Sequence, residues 1–364
     1  MDTQSRLHSI VLQPTSACNM NCRYCYLSHR NVSKRMTREL AQRVADDLPV
    51  LAGTNGVTVI WHGGEPLACG YEHFSALLEP FAGLNERGVV THSVQTNATL
   101  INPRWCDLFA QHGVRVGVSL DGPAWANEDR VDWAGKPTHA RTMRGIGMLA
   151  EHGIPFSAIA VVGRDNLARA SDIYAFFADL GCTILGINIE EQEGANVDGG
   201  VADDDAVRRF WADLFAEWRV RPVLRVRELD RVLGYLDAVC AGRTPTFAPA
   251  ADADLFPTVG WNGDVVVLSP ELLGARSPSY GDYAIGNIRE ERLPAILERA
   301  QGADYVGDFA CGVARCRATC PYFAFCGGGQ CANKVFERGT ADATETAFCR
   351  NTRQRLLDAV LAAL

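Results

Sequence analysis

The sequence predicts an α/β fold, an open and partial (β/α)6 barrel followed by a cysteine-rich C-terminal extension. Three observations support this prediction. Short apolar segments alternate with amphipathic segments from residue 7 to about residue 220. These segments form six strand–helix units, fewer than the eight of a closed barrel. Six of the thirteen cysteines lie after residue 310.

The apolar segments have the near-continuous hydrophobicity of strands that are buried on both faces of a parallel sheet. In chain order the six predicted strands are HSIVLQPT, GVTVIW, VVTHSVQT, VRVGVSL, IPFSAIAVV and CTILGINI. Thr37 is a predicted helix N-cap, and so is Asn102, which precedes a proline suited to the first helical position. One continuous helix is predicted over residues 71–87.

The composition divides the chain into three parts. Residues 1–220 form the predicted barrel, and residues 221–256 form a linker or helical bridge that contains the Pro-, Ala- and Asp-rich stretch RTPTFAPAADADLFP. Residues 257–364 form the cysteine-rich part. It opens with TVGWNGDVVVL, which predicts a hairpin with a type I′ turn at Asn262-Gly263.

The net charge and the cysteine content indicate which partners and which cellular compartment to expect. The net charge is −8 and no basic run stands out, which argues against nucleic acid and against an anionic membrane surface as partners. The chain has no signal segment and no apolar run of about 18 residues, so we expect a cytoplasmic protein. In that reducing compartment thirteen cysteines are not expected to form a disulfide framework.

The distinctive loops all follow strands. PTSACNMNC follows the first strand, HGGEP the second, QTNAT the third and SLDGP the fourth. Because the carboxyl ends of parallel strands meet at one edge of a sheet, these loops should lie together. The sequence therefore predicts the chemistry at this edge.

Three cysteines, Cys18, Cys22 and Cys25, have the spacing C-x3-C-x2-C on the first of these loops. Structural zinc usually has four closed ligands, and here only three are local. A cubane iron–sulfur cluster has four irons, so three cysteines would leave one iron open to a substrate or cofactor. An iron–sulfur cluster is the preferred interpretation, with zinc as the alternative.

These residues resemble the signature of radical S-adenosylmethionine (SAM) enzymes. The triple cysteine, the aromatic Tyr26 after it, and the GGEP sequence after the second strand stand in family order. The resemblance extends over nearly the whole chain, because the C-terminal cysteines resemble the SPASM extension. It implies a TIM-like partial barrel, a [4Fe–4S] cluster on the three cysteines, and a 5′-deoxyadenosyl radical formed from SAM.

The resemblance also implies a SAM site. The residues that match family positions for SAM binding are Tyr26, Gly63, Gly64, Glu65, Gln95, Asn97, Ser119, Asp121 and Arg130. Arginine suits the SAM carboxylate because of its forked donors. Arg141 lies near Arg130 in sequence and is the alternative.

The C-terminal cysteines depart from the full SPASM pattern, which has seven cysteines and two auxiliary clusters. Leu268 stands where a cysteine is expected. One complete auxiliary [4Fe–4S] cluster is predicted on Cys316, Cys320, Cys326 and Cys349. Cys311 and Cys331 remain as further metal-ligand candidates, and structural zinc stays an alternative for the four thiols.

SPASM enzymes typically modify peptides, so the resemblance implies a peptide partner and a reductant such as flavodoxin or ferredoxin. The preferred activity is carbon–carbon crosslinking of a ribosomal precursor peptide, as in cyclophane-forming maturases. The alternative is formylglycine formation by an anaerobic sulfatase maturase. In those maturases an Asp base follows the second SPASM cysteine, whereas here the nearest acid, Glu271, is displaced by two residues.

Two carboxylates are the catalytic candidates, Glu271 and Glu191. Glu191 follows the sixth strand together with Glu190 and Glu193, and this acidic loop is suited either to peptide binding or to acting as a base. A protein that binds a cluster only as a structural or sensor element is the non-enzymatic alternative.

Overall fold

A ten-stranded sheet forms the centre of the protein. The computed structural model describes residues 7–200, 204–243 and 255–364. The strands are β1 (Ser9–Leu12), β2 (Val57–Trp61), β3 (Val90–Thr96), β4 (Arg115–Ser119), β5 (Phe156–Val162), β6 (Ile184–Ile189), β7 (Arg225–Val226), β8 (Thr258–Val259), β9 (Asp264–Val266) and β10 (Gly286–Asn287). From β1 to β7 the strands follow chain order and pair in parallel, which confirms the predicted six-stranded parallel sheet and extends it by one strand.

The helices cover the sheet and build the C-terminal part. They are α1 (Arg38–Leu51), α2 (Tyr71–Leu78), α3 (Ala82–Glu86), α4 (Pro103–His112), α5 (His139–Glu151), α6 (Ala170–Leu180), α7 (Asp204–Val220), α8 (Arg227–Cys240), α9 (Leu293–Arg299), α10 (Asp304–Thr319), α11 (Phe323–Cys326), α12 (Cys331–Arg338), α13 (Ala347–Cys349) and α14 (Arg355–Ala362). Both predicted N-caps are confirmed, because the side chains of Thr37 and Asn102 accept hydrogen bonds from backbone N–H groups in the first turn of their helices.

The C-terminal hairpin continues the barrel sheet. β8 pairs in parallel with β1, where Val11 faces Thr258, and β8–β9 and β9–β10 pair antiparallel. The predicted bridge over residues 221–256 contains β7 and α8, while its residues 244–254 lie outside the described ranges. The sheet continues across residue 257, so the domain boundary placed there remains a prediction.

Two local predictions are wrong. The helix expected over residues 71–87 is interrupted by a 3₁₀ turn at Glu79–Phe81, because Pro80 lacks the N–H that a continuous helix requires. The hairpin turn is not type I′, because Gly263 has a positive φ of 91° and Asn262 does not. The Gly263 N–H donates to the Gly260 carbonyl at 2.9 Å, which gives a longer loop with glycine in the left-handed region.

Within the described ranges, two hydrophobic clusters stabilise the fold. The larger one lies between the sheet and its helices and extends to α14 of the C-terminal part. There the Trp211 Nε1–H of α7 donates to the Asn351 carbonyl at 2.7 Å. The smaller cluster belongs to the C-terminal part and includes Tyr283, Tyr305 and Cys331. Among the described residues no helix is long and apolar enough to cross a lipid bilayer.

Candidate active site

The three N-terminal cysteines lie on the loop that follows β1, and their side chains line one cavity of about 290 Å³. The Cys25 N–H donates to the Cys22 carbonyl at 3.3 Å. The Trp133 Nε1–H donates to the Cys18 carbonyl at 2.9 Å. Burial raises the pKa of the Cys22 thiol to about 11. Hydrogen bonds to backbone carbonyls of this loop, one from within it and one from the Trp133 side chain, thus shape the loop that presents the three thiols.

The cavity brings together most of the residues predicted for the site, from the ends of β1, β2, β3, β4 and β6. Its lining includes Cys18, Cys22, Cys25, Tyr26, Gly64, Glu65, Gln95, Asn97, Ser119, Arg130, Glu191 and Glu271. Gly63 and Asp121 do not line it but adjoin residues that do. The predicted meeting of these loops at one sheet edge is therefore what the geometry shows.

Gly64 lies against the cysteine loop without room for a side chain. A Cβ atom on Gly64 would lie 2.4 Å from the Ala17 carbonyl oxygen and 2.9 Å from that of Thr15. The φ of Gly64 is +63°, a left-handed conformation that favours glycine. Next to it, the Glu65 N–H donates to the Ala17 carbonyl at 2.8 Å. The close approach of two loops thus explains this glycine.

The Glu65 carboxylate fastens the β2 loop to the end of β3. It is 1% exposed and accepts hydrogen bonds from Thr96 Oγ1 at 2.6 Å, Asn97 N at 2.7 Å and Leu67 N at 3.1 Å. Burial raises the pKa of Glu65 to about 6, although these donors act in the opposite direction. The carboxylate is thus engaged inside the protein, and Glu65 positions the loop.

A buried ion pair supports the cavity wall beside the cysteine motif. Arg130 Nε lies 2.9 Å from Asp121 Oδ2, and Arg130 Nη2 donates to Asp121 Oδ1 at 3.0 Å. The Tyr24 hydroxyl donates to Asp121 Oδ2 at 2.6 Å. By contrast, Arg141 pairs with Asp132 at 3.0 Å and does not line the cavity. The geometry favours Arg130 over Arg141.

Polar side chains continue from this ion pair around the cavity. Gln95 Nε2–H donates to Ser119 Oγ at 2.8 Å, and Asn97 Nδ2–H donates to Asn19 Oδ1 at 2.9 Å. On the other side the Tyr26 hydroxyl is 3.1 Å from His62 Nε2. Burial lowers the pKa of His62 to about 4, so the imidazole is neutral near pH 7.

Three carboxylates line the same cavity as the cysteines, those of Glu191, Glu193 and Glu271. Asn333 Nδ2 of α12 donates to Glu191 Oε2 at 2.6 Å and to Glu193 Oε1 at 3.0 Å. Burial raises the pKa of all three carboxyl groups, that of Glu191 to about 7. Like charges this close do not all ionise readily, so the group can hold a shared proton near neutral pH.

A second cavity, of about 270 Å³, contains the C-terminal cysteines predicted to bind a cluster. Cys316 of α10, Cys320 directly after α10, Cys326 of α11 and Cys349 of α13 all line it. The Cys349 thiol lowers the pKa of Cys326 to about 5, because it hydrogen-bonds to the Cys326 sulfur. The four cysteines that the sequence spacing singled out therefore lie around one cavity in the fold.

The two remaining candidates lie elsewhere. Cys311 is exposed on α10. Cys331 is 1% exposed in the smaller hydrophobic cluster, next to Tyr283 and Tyr305. In the described ranges no three His, Cys, Asp or Glu side chains are close enough together to hold a single metal ion. Ligands of a cubane attach to different irons and stand farther apart than ligands of one ion.

Several residues of the site were missed from the sequence. Tyr24 stands between two cysteines of the motif, a position that could have singled it out. Glu193 was considered only as part of an acidic loop. His62 directly precedes the GGEP sequence and carries no separate signal. Asn333 is 140 residues or more from the carboxylates that it contacts, so no local pattern could have placed it there.

Comparisons with known proteins identify a family and several relatives. The profile of the radical SAM superfamily matches residues 12–190. An uncharacterised protein of Synechocystis, sll1766, is 34% identical over 98% of this chain and 91% of its own length. The serine-type anaerobic sulfatase-maturating enzyme of Klebsiella aerogenes is 34% identical, but the match covers 58% of this chain and about half, 54%, of that enzyme.

Two solved structures share the fold over most of their length. The structure of anSMEcpe with bound AdoMet superposes with a TM-score of 0.78 at 20% identity, covering 98% of this chain and 97% of that one. Streptococcus suis SuiB, bound to its precursor peptide SuiA, gives 0.69 at 16% identity over 95% and 76%. The family match covers the triple-cysteine loop and the strand ends that form the cavity. The chain therefore belongs to the radical SAM superfamily and is an enzyme, and membership implies a [4Fe–4S] cluster and SAM.

Proposed function

We propose that this enzyme joins side chains of a ribosomally made precursor peptide through a carbon–carbon bond, as in cyclophane formation. The observation that carries the proposal is the composition of one cavity. Three cysteine thiols and the carboxylates of Glu191, Glu193 and Glu271 line this same cavity. Such a cavity can both form a radical and remove a proton from the substrate.

The residues around the N-terminal cysteines fit the cofactors that the family implies. Cys18, Cys22 and Cys25 would hold the [4Fe–4S] cluster, since three thiols face one cavity. Gly64 brings the GGEP backbone against their loop, where a Cβ would collide with the Ala17 carbonyl. When bound, the cluster and SAM supply a 5′-deoxyadenosyl radical that removes a hydrogen atom from the substrate.

The polar wall of the cavity suits SAM. Arg130 is held by Asp121, so its guanidinium has a fixed orientation toward the cavity and suits the SAM carboxylate. Gln95, Asn97 and Ser119 offer neutral hydrogen-bonding groups beside it. These residues would orient SAM beside the three cysteines.

An adjoining cavity of about 450 Å³ offers a path for the peptide. It shares Tyr26, Leu27 and Glu271 with the SAM cavity. Trp261 and Phe336 give it aromatic walls suited to apolar peptide side chains. We place the peptide across this boundary, between the barrel of residues 1–220 and the SPASM-like part of residues 257–364.

The carboxylates of the cavity would complete the reaction. Crosslinking to an aromatic ring removes two hydrogens from the peptide, one as an atom and the other as a proton and an electron. Glu191, with Glu193 and Glu271 beside it, is placed to accept the proton. Cys316, Cys320, Cys326 and Cys349 would hold an auxiliary [4Fe–4S] cluster that supplies an electron acceptor. A flavodoxin or ferredoxin is the proposed external reductant.

Formylglycine formation is the second candidate. Glu271 is two residues away from the expected position of the base in sequence, yet it lies in the cavity and burial raises its pKa. It could therefore deprotonate a thiol or alcohol. The relatives named as sulfatase-maturating enzymes also favour this activity. The displacement in sequence is thus not a sufficient argument against it.

Co-expression with a short precursor encoded beside the gene, followed by tandem mass spectrometry, separates the two functions. Crosslinking predicts a peptide lighter by two hydrogens, with fragmentation blocked between the joined residues. A sulfatase-derived peptide containing Cys or Ser serves as the second substrate. An aldehyde on that peptide, detected with a hydrazine probe, would contradict crosslinking and support formylglycine formation.

A further inference from the structure

Lys334 is a buried cation without a hydrogen-bond partner. It lies on the first turn of α12 and is 1% exposed. In the described part of the chain its Nζ forms no hydrogen bond. The Nζ lies 4.9 Å from the centre of the Phe309 ring. Burying an ammonium without a carboxylate partner is costly, so its position calls for a negative group nearby.

Lys334 lies beside the second cavity: its Cε is 3.9 Å from the position of a Cβ on Gly329, and the neighbouring Gly328 lines that cavity. Burial lowers the pKa of Lys334, while the nearby sulfurs of Cys316, Cys331, Cys326 and Cys349 act in the opposite direction and favour the charged form. Three of these four cysteines line the second cavity. A cubane with four thiolates is an anion in both oxidation states, and reduction adds one more negative charge. A cation in this low-dielectric position therefore stabilises the reduced state more than the oxidised one.

We propose that Lys334 raises the reduction potential of an auxiliary cluster bound by Cys316, Cys320, Cys326 and Cys349, and so makes it a better electron acceptor. The inference rests on the proposed function, which places a cluster on these four cysteines. Lys334 is a positioning and tuning residue, because it touches neither substrate nor SAM. In this role the cluster accepts one electron, and no bond is formed or broken.

The location of α12 links this role to the active cavity. Asn333, the residue before Lys334, donates to Glu191 and Glu193. One helical turn therefore contacts the carboxylates proposed to accept the proton and places Lys334 beside the cavity of the cysteines proposed to hold the electron acceptor. The proton and electron that leave the peptide would be received on two sides of the same turn.

The test is an anaerobic redox titration of the full-length, reconstituted protein, followed by electron paramagnetic resonance. The Cys22→Ala background removes the N-terminal cluster signal. We expect Lys334→Met and Lys334→Gln to lower the midpoint by at least a tenfold change in the reduction equilibrium, about 59 mV for one electron. Lys334→Arg keeps the charge and should stay near the wild-type value. Arg317→Gln is the matched control, since Arg317 is exposed beside Cys316 and solvent screens its charge.

The outcomes separate this inference from the proposed function. An unchanged midpoint in Lys334→Met would overturn the role of Lys334 alone. Loss of the auxiliary-cluster iron in Lys334→Met and Lys334→Gln, but not in Lys334→Arg, would support a requirement for the positive charge. Loss of this iron in all three variants would contradict that requirement. Wild-type protein with only about four irons per chain would contradict the auxiliary cluster itself, and this inference with it.

Discussion

Replacing Gly64 by alanine should displace the cysteine loop, because the new Cβ would lie 2.4 Å from the Ala17 carbonyl oxygen. The left-handed φ of +63° costs about 1–2 kcal/mol for a non-glycine residue. Steric overlap with a backbone oxygen, which cannot rotate away, adds about 1–3 kcal/mol. The loop can relieve this strain of about 2–5 kcal/mol by moving away, and the thiols would move with it.

Gly70→Ala is the matched control. Gly70 also has a positive φ, +92°, but a Cβ there would meet nothing within 4 Å. Its cost should be backbone strain alone, about 1–3 kcal/mol. We therefore expect both variants to lower the free energy of unfolding, measured by denaturant titration. Only Gly64→Ala should lose the N-terminal cluster, seen as a fall from about eight irons per chain to about four. Full iron content and normal SAM cleavage in Gly64→Ala would refute the close-approach argument.

Three further predictions concern single residues of the site. Cys22→Ala should abolish formation of 5′-deoxyadenosine under anaerobic reducing conditions. Cys106→Ala removes a buried thiol outside the site and should leave this reaction intact. Formation of 5′-deoxyadenosine by Cys22→Ala would disprove the cluster assignment. Asn333→Ala removes a hydrogen-bond donor that lowers the pKa of Glu191, so the rise of peptide-modifying activity with pH should move to higher pH. An unchanged pH profile would exclude Glu191 as the group whose ionisation is controlled by Asn333. Burial raises the pKa of Glu65 to about 6, above the value of about 4.5 in the unfolded chain. The protonated carboxyl group therefore contributes about 2 kcal/mol to stability below pH 4.5, and this contribution is lost as the pH rises through 6. Glu65→Gln should remove this pH dependence from the unfolding free energy, whereas an unchanged pH dependence would show that Glu65 does not cause it.

The parallel sheet and the meeting of the loops were predictable because both depend on local signals. Apolar strands, helix caps and strand-following motifs are short-range patterns, and the carboxyl ends of parallel strands necessarily share an edge. The same reasoning brought Gln95 and Ser119 together. It could not decide between Arg130 and Arg141, because that depends on which of them reaches Asp121.

Long-range placement accounts for most of what the sequence did not predict. Glu271 lies far from Glu191 in sequence, and their shared cavity exists only because the C-terminal hairpin continues the sheet from β1. Asn333 and Lys334 read as ordinary helix residues, yet both are buried and face different sites. The type I′ turn was predicted from the Asn-Gly pair alone, while the loop that forms is longer, with Gly263 rather than Asn262 in the left-handed region.

The most direct test of peptide crosslinking counts two products of one reaction. Reconstituted enzyme, reductant, SAM and the precursor peptide are combined anaerobically, and 5′-deoxyadenosine and modified peptide are measured together by mass spectrometry. We expect one 5′-deoxyadenosine for each crosslink, and each crosslink to remove two hydrogens from the peptide. Formation of 5′-deoxyadenosine with an unmodified peptide, or with a hydrazine-reactive aldehyde in place of the crosslink, would contradict the proposed function.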